Sequence, residues 1–483
     1  MKNAEILEGL NLGSSVAEND QHLADYFVST GAVKDFVADR YDIVRGVKGS
    51  GKSAILRMVN EDKGAYPQLS NTQLVVATEH AGEPAFKRAF DSLRAGSYSE
   101  LALVNAWKAY LLNFFIDALE QMEPTVASHE VVRFAEEQGV RFRSTSLFKK
   151  ALWSLLRFLH PRSFGISEAG LNAEFPDEPP EFWTRSESVV DFPGLIERLD
   201  AAFGERKQRC WVLVDRLDAA FQDDHELEKN ALRALLLAYK DLMGRQHLRV
   251  KLFFRTDLFD LVSGGAGFRE LTHVSDRTSP PIIWDHDKLL LMLMERFAFN
   301  EPVRKKYGFS REDMKDEELR QAAFFSIFPQ QIDAGDRKPD TWNWINGRLR
   351  DGNGVKTPRD LQSLAQNAAR KQRERLALGG EQEADTLIES AAVKEGLAQP
   401  SEDKIRASLI AENPQLDSVI RAFEKGKAEH NSVSLKALLG DEWEIVVAKL
   451  ERIGFIERLT DSWKVPMIYR DGLAITQGAA FEK

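Results

Sequence analysis

The sequence predicts an α/β fold: a parallel sheet with crossover helices, a helical region after it, and a closing module of helices and a hairpin. Three observations predict it. Short apolar, partly β-branched runs alternate with helical patterns through the first half. Strand signals stop near Asp285, and amphipathic helical patterns take over. Beyond Ser401, helical stretches run into two neighbouring strand signals around a tight turn, the plan of a winged helix.

The elements follow in order. Residues 1–25 form an N-terminal segment, and MKNAEILEGLNLGSS has no basic stretch leading into an apolar one, so no signal peptide is expected. The core spans 26–283. Its strands are expected at YDIVR (41–45), TQLVVAT (72–78), CWVLVD (210–215) and RVKLFFR (249–255). The chain between Thr78 and Cys210 far exceeds the ~30 residues of a βαβ unit, so a helical insertion is expected at about 80–205. Its patterns are LALVNAWKAYLLNFFIDALEQM (101–122) and SLFKKALWSLLRFLH (146–160), and FPDEPPEF (175–182) returns as a loop.

A helical region, 284–400, follows. It contains WDHDKLLLMLMERFAF (284–299) and TPRDLQSLAQNAARKQRERLAL (357–378), where Thr357 and Pro358 suit an N-cap and first turn. GGEQEADT (379–386) reads as a hinge or exposed loop. In the last module, 401–483, helices are expected at 403–411, 415–428, 433–439 and 442–454. Strands follow at FIERL (455–459) and SWKVPMI (462–468), around a turn at Thr460 and Asp461.

Bulk properties narrow the class. A chain of 483 residues suggests about three domains, and 43% apolar with 29% charged residues suits a soluble globular protein. A formal charge of -10 argues against wholesale binding of nucleic acid or acidic membranes. The single cysteine, Cys210, excludes a disulfide framework, favours a cytosolic compartment, and reads as a small core residue. No apolar run reaches the ~18 residues of a membrane helix.

The chemistry concentrates in Gly46-Val47-Lys48-Gly49-Ser50-Gly51-Lys52-Ser53, which has P-loop spacing. Glycines let successive amides face one way and form an anion nest, and the following helix adds its positive end. Lys52 can then reach the β- and γ-phosphates, and the Ser53 hydroxyl can ligate magnesium. A plain glycine-rich turn is the competing reading; the strand before the loop and the helix after it favour phosphate. Asp215 ends an apolar strand, where a magnesium-organising carboxylate belongs. Asp218 suits either a water-polarising role or a helix N-cap. Arg216, between them, can pair with either carboxylate. Arg255, at the end of the next strand, suits either γ-phosphate sensing or a salt bridge with Asp257 or Asp260.

In this order, GVKGSGKSA, VLVDRLDAA, LFFRTD and TPRDLQSLAQNA resemble a family of bacterial P-loop ATPases near the STAND, KAP and origin-recognition branches of the AAA-type superclass. DRLD is similar to the Walker B form of STAND and KAP proteins and differs from the adjacent Asp-Glu pair of most AAA enzymes. The resemblance covers roughly 26–378. It implies an ATP- and magnesium-dependent ATPase core, a helical lid, and Arg359 as a lid arginine reaching the nucleotide. A surface arginine in a first helical turn is the other reading of Arg359. Arg269 or Arg277 is implied as an arginine finger across a subunit interface. The resemblance also implies a switch that oligomerises or controls a protein effector, in some relatives within anti-phage systems.

A nucleic-acid partner is the alternative. The helix expected at 441–454 carries Asp441, Glu442, Glu444 and Glu451 against Lys449 and Arg452, which suits packing or protein contact better than a DNA groove. Residues 140–162 hold Arg141, Arg143, Lys149, Lys150, Arg157 and Arg162 with interleaved Phe142, Phe148, Trp153 and Phe158. Aromatics packed in the core with basic residues meeting acidic neighbours is one reading; contact with protein or single-stranded nucleic acid, or with a membrane surface, are others. The expectation is a regulated ATPase, with a nucleic-acid-dependent ATPase as the alternative and a nucleotide-binding scaffold of little turnover behind it. Guanine specificity stays open, since the loop itself does not read the base.

Overall fold

The computed structural model describes residues 2–77, 99–141, 190–215, 225–264, 271–380 and 385–482. Two compact units divide the chain: Gly31–Val47 with Ile55–Ile282, and Met1–Thr30 with Lys48–Ala54 and Ile283–Lys483.

In the unit that runs to Ile282, β1 (Ile43–Gly46), β2 (Thr72–Val76), β3 (Arg209–Val214) and β4 (Leu248–Arg255) form a parallel sheet in the order β1-β4-β3-β2. These are the expected runs, shifted by a residue or two. Strand β4 pairs Leu252 with Ile43 on one side and with Val214 on the other. Buried on both faces, β3 and β4 read as near-continuous apolar runs. Cys210 lies inside β3 and is fully buried, which pushes its thiol far up and suits a core residue.

A further stretch runs along the outer flank of β1, where the sequence reading placed no strand. Asp42 and Ile43 donate their amides to the Arg277 carbonyl, Ser279 N–H bonds Ile43 O at 2.8 Å, and Ile282 N–H bonds Arg45 O at 2.8 Å. Thr278 bridges Ile43 in the parallel sense. Pro280 and Pro281 interrupt the ladder because neither has an amide hydrogen. The Ser279 hydroxyl stands in as acceptor for the Arg45 N–H, at 3.1 Å.

At the amino end of β1 lies an ionic knot. Lys251 Nζ, on β4, donates to Asp39 Oδ1 (2.5 Å), Asp42 Oδ1 (2.8 Å) and the Tyr41 carbonyl (2.7 Å). Arg277 donates Nε to Asp42 Oδ2 and Nη2 to Asp39 and Asp42, each at 2.9 Å. Arg249 reaches Asp39, and the Tyr239 hydroxyl donates to Asp42 Oδ2 at 2.8 Å. Burial alone would raise the Asp42 carboxyl; Lys251 and Arg277 outweigh it and hold the group below its ordinary 3.8.

The described part of the insertion is built into the same core. Helix Glu100–Glu120 starts at Ser99, whose hydroxyl accepts the Ala102 amide, and Leu103 to Leu119 are mostly buried. It packs on helix His225–Leu242, where Trp107 Nε1 donates to the Ala231 carbonyl at 2.8 Å. The Tyr110 hydroxyl reaches the Ala77 carbonyl just beyond β2, tying the insertion to the sheet. Truncating Trp107 would cost about 3–5 kcal/mol. The patterns at 146–160 and 175–182 lie outside the described residues.

The other unit packs helices His286–Phe299, Glu317–Ile327, Thr341–Leu349 and Pro358–Ala377 around Leu293, Phe297, Phe324, Trp342 and Leu361. Asp285 caps the first, accepting the Lys288 amide at 2.8 Å, and Thr357 caps the last. The N-terminal segment lies on them: Gln362 Nε2 donates to the Leu12 carbonyl, and Arg296 ties Leu12 to Asp20.

A second sheet closes this unit. Strands β5 (Lys427–His430), β6 (Glu457–Arg458), β7 (Trp463–Lys464) and β8 (Thr476–Ala479) lie in the order β6-β7-β5-β8, with β7 antiparallel to both neighbours and β8 parallel to β5. Helices Ser432–Leu439 and Trp443–Arg452 run between β5 and β6. The helix expected over 415–428 ends at Arg421 instead, and 427–430 is a strand. Leu416, Ile420 and Phe423 do fall on one buried face, but Lys425 at φ 59° turns the chain out of the helix. The strand expected over 462–468 is two residues long, and Pro466 leads into helix Met467–Arg470. Residues 404–410 adopt a π-helix.

Candidate functional site: a glycine-rich loop and the sheet edge

Strand β1 ends at Gly46, and helix Lys52–Glu61 begins five residues after Val47, so the motif is a strand-to-helix turn. Gly49 at φ 80° and Gly51 at φ 95° take backbone that side chains rarely adopt. Alternation of such residues with ordinary ones points successive amides to one side. Lys52 and Ser53 occupy the first turn of the helix, where the positive end of its dipole favours an anion. Ser50 is 2% exposed, and its hydroxyl has no hydrogen-bond partner among the described residues.

Side chains from the helical part of the same unit lie against this loop. Trp284 Nε1 donates to the Ser50 carbonyl at 2.8 Å. A Cβ on Gly49 would come within 3.0 Å of Arg359 Cβ and 3.2 Å of Thr357 Oγ1, so only glycine permits this approach. Arg359, the expected lid arginine, is therefore placed beside the loop, and its Nε has no partner among the described residues. Lys48 turns the other way: Nζ donates to the Ala407 carbonyl on the π-helix at 2.5 Å and lies 3.6 Å from Glu412. Behind Thr357, its hydroxyl donates to Asp360, which accepts Lys404 Nζ at 2.7 Å. Burial would lower the Lys404 ammonium, but Asp360 and its acidic neighbours hold it above its ordinary value.

In the sheet, Arg255 at the end of β4 is level with Gly46, the first residue of the motif. Its guanidinium forks onto Asp257, with Nε–Oδ1 at 3.1 Å and Nη2–Oδ2 at 2.6 Å, the salt bridge weighed for it above. Thr256 follows with its hydroxyl oxygen buried and without a partner among the described residues. Asp215 directly follows β3 at the same, carboxyl, edge and is 5% exposed. The sheet order thus sets β4 between the strand of the loop and the strand of Asp215.

Several expected residues fall elsewhere. Arg277 is spent in the ionic knot at the amino end of β1, so the arginine-finger expectation fails for it. Arg141, expected in a basic patch for nucleic acid, is 4% exposed and bonds Asp117 at 3.2 Å and Glu120, so it offers no surface charge. Arg216, Asp218, Arg269, Arg143, Lys149, Lys150, Arg157 and Arg162 lie outside the described residues. The sequence reading missed Trp284 and Lys48's distant partners; a tryptophan just ahead of a helix cap carries no motif that would reveal them.

No family model matches the chain, and no curated protein matches it. Among solved structures, the Walker-type ATPase PABY2304 of Pyrococcus abyssi is similar over 96% of this chain and 98% of that chain, with 11% identity and a TM-score of 0.39. The site stands on its own residues. No described helix is long and apolar enough to cross a membrane.

Proposed function

We propose that this chain is an ATP-binding and hydrolysing P-loop ATPase whose nucleotide state controls oligomerisation or a partner effector. One observation carries the reading: a loop with Gly49 and Gly51 in left-handed backbone joins a buried parallel strand to a helix that opens with Lys52 and Ser53. A triphosphate fits this donor set. Lys52 would meet the β- and γ-phosphates, and the Ser53 hydroxyl with Asp215 would hold magnesium. The metal would supply charge neutralisation on the phosphates. Asp218 would orient water, and Arg255, released from Asp257, would meet developing charge.

Arg359 supports a lid role because it lies beside Gly49. A winged helix at the C-terminus is supported by the order strand, two helices, then a hairpin that returns to the first strand. A place in bacterial anti-phage defence rests on the motif resemblance alone. The alternative, a nucleic-acid-dependent ATPase, uses the same phosphate site.

Titration calorimetry with a non-hydrolysable ATP analogue and steady-state hydrolysis, with and without DNA, test the reading. Wild type is expected to bind and turn over slowly without regard to DNA, and Lys52→Ala to lose binding. Equal affinity in Lys52→Ala would sink the phosphate-site reading. Strong DNA stimulation would replace the effector switch with the alternative.

A further inference from the structure

The indole N–H of Trp284 meets the carbonyl of Ser50, the residue just before Gly51. In a planar trans peptide, the carbonyl oxygen and the next amide hydrogen point in opposite directions. The chain contains no cis peptide bond among the described residues. Fixing the Ser50 oxygen towards Trp284 therefore turns the Gly51 N–H away from the indole. Nothing among the described residues accepts that N–H.

The contact is held from both sides. A Cβ on Gly51 would stand 3.9 Å from Trp284 Cζ2, so the ring edge lies within van der Waals reach of the turn. Trp284 immediately precedes Asp285, whose carboxylate accepts the Lys288 amide at the start of helix His286–Phe299. The donor thus sits one residue ahead of a capped helix and is half-buried.

We propose that Trp284 is a positioning residue for the phosphate-binding loop: its indole N–H sets the Ser50–Gly51 peptide plane so that the Gly51 amide faces the phosphates of a nucleotide. This rests on the ATP reading above. Glycine at 51 is free to rotate that plane, and a loop without the bond spends part of its time with the amide turned away. Phosphate affinity then falls by the population lost. The ring alone would not do this, because packing does not distinguish one peptide orientation from its flip.

The test compares wild type with Trp284→Phe, which keeps the ring and removes the donor. Affinities are measured for an ATP analogue and for adenosine. The expected result is a loss of about five- to tenfold for the triphosphate, the size of one net hydrogen bond, with adenosine unchanged and the melting temperature close to wild type. Equal triphosphate affinity, or a parallel loss for adenosine, overturns the proposal while leaving the ATP reading intact. Failure of wild type to bind any nucleotide sinks both. Should Trp284→Phe not fold, selectively 15N-glycine-labelled wild type decides. A Gly51 amide that exchanges readily and becomes protected on adding the analogue supports the proposal; one already protected without nucleotide overturns it.

Discussion

The two ends of β1 are built on opposite principles. At its amino end, Asp39 and Asp42 meet Lys251, Arg249, Arg277 and a tyrosine hydroxyl in an enclosed network. At its carboxyl end, Gly49 and Gly51 take left-handed backbone, and the Ser50 hydroxyl has no partner among the described residues. Four residues separate a place where every charge is answered from one where an anion would answer the donors. A buried ion pair is poor evidence of net stabilisation, since desolvation offsets the attraction. Its effect here is on register. Asp42 lies just before Ile43, which pairs with Leu252, so a one-residue slip of β1 would carry Asp42 away from Lys251. A strand pinned in this way ends at Gly46 in fixed register with Arg255.

The sharpest way to break the contrast is Asp42→Asn. It leaves Lys251 and Arg277 short of one carboxylate, and about 3–5 kcal/mol of stability should be lost in chemical denaturation. Nucleotide affinity of the folded fraction should stay within about twofold; a parallel fall would mean that the two ends are not separable. Acid titration sharpens the same point. Asp42 is held below its ordinary 3.8, so between the two values the unfolded chain binds more protons than the folded one. Its contribution is whole above the ordinary value and is lost as pH falls through the folded one. Wild type should lose stability with acid more steeply than Asp42→Asn does.

At the other end, Asp215→Asn should reduce hydrolysis on the order of a hundredfold with little change in melting temperature. A large drop in melting temperature would instead make this carboxylate structural. Ser279→Ala should cost about 1–3 kcal/mol, because it deprives the Arg45 amide of its acceptor. An unchanged denaturation midpoint would show that water replaces the hydroxyl. Smallest is Thr357→Ala, which removes an N-cap worth about 1 kcal/mol. Circular-dichroism melting would register it, and no shift would mean that Asp360 and Lys404 hold that turn alone.

Much of the sheet was legible because each strand carries its own signal. Runs such as CWVLVD are apolar and bounded, and the loop is read from eight consecutive residues. What escaped depends on partners far along the chain. Residues 277–282 flank β1 as a strand would, yet two prolines erase the local pattern that would announce it. Lys427–His430 was hidden by the helical spacing of Leu416, Ile420 and Phe423 just before it. Arg277 offered the charge of an arginine finger, and only the fold shows its carboxylates. Trp284 and Ser50 lie far apart in sequence, and their bond has no signature in either neighbourhood.

The same two prolines bear on how this protein behaves when crowded with its own kind. The outermost strand of an open sheet normally exposes a row of hydrogen-bonding groups that invites another molecule to add on. Along 277–282 the adjacent Pro280 and Pro281 have no amide hydrogens to offer. A neighbouring chain that docked there would find its ladder interrupted at the prolines, which disfavours strand addition on this flank.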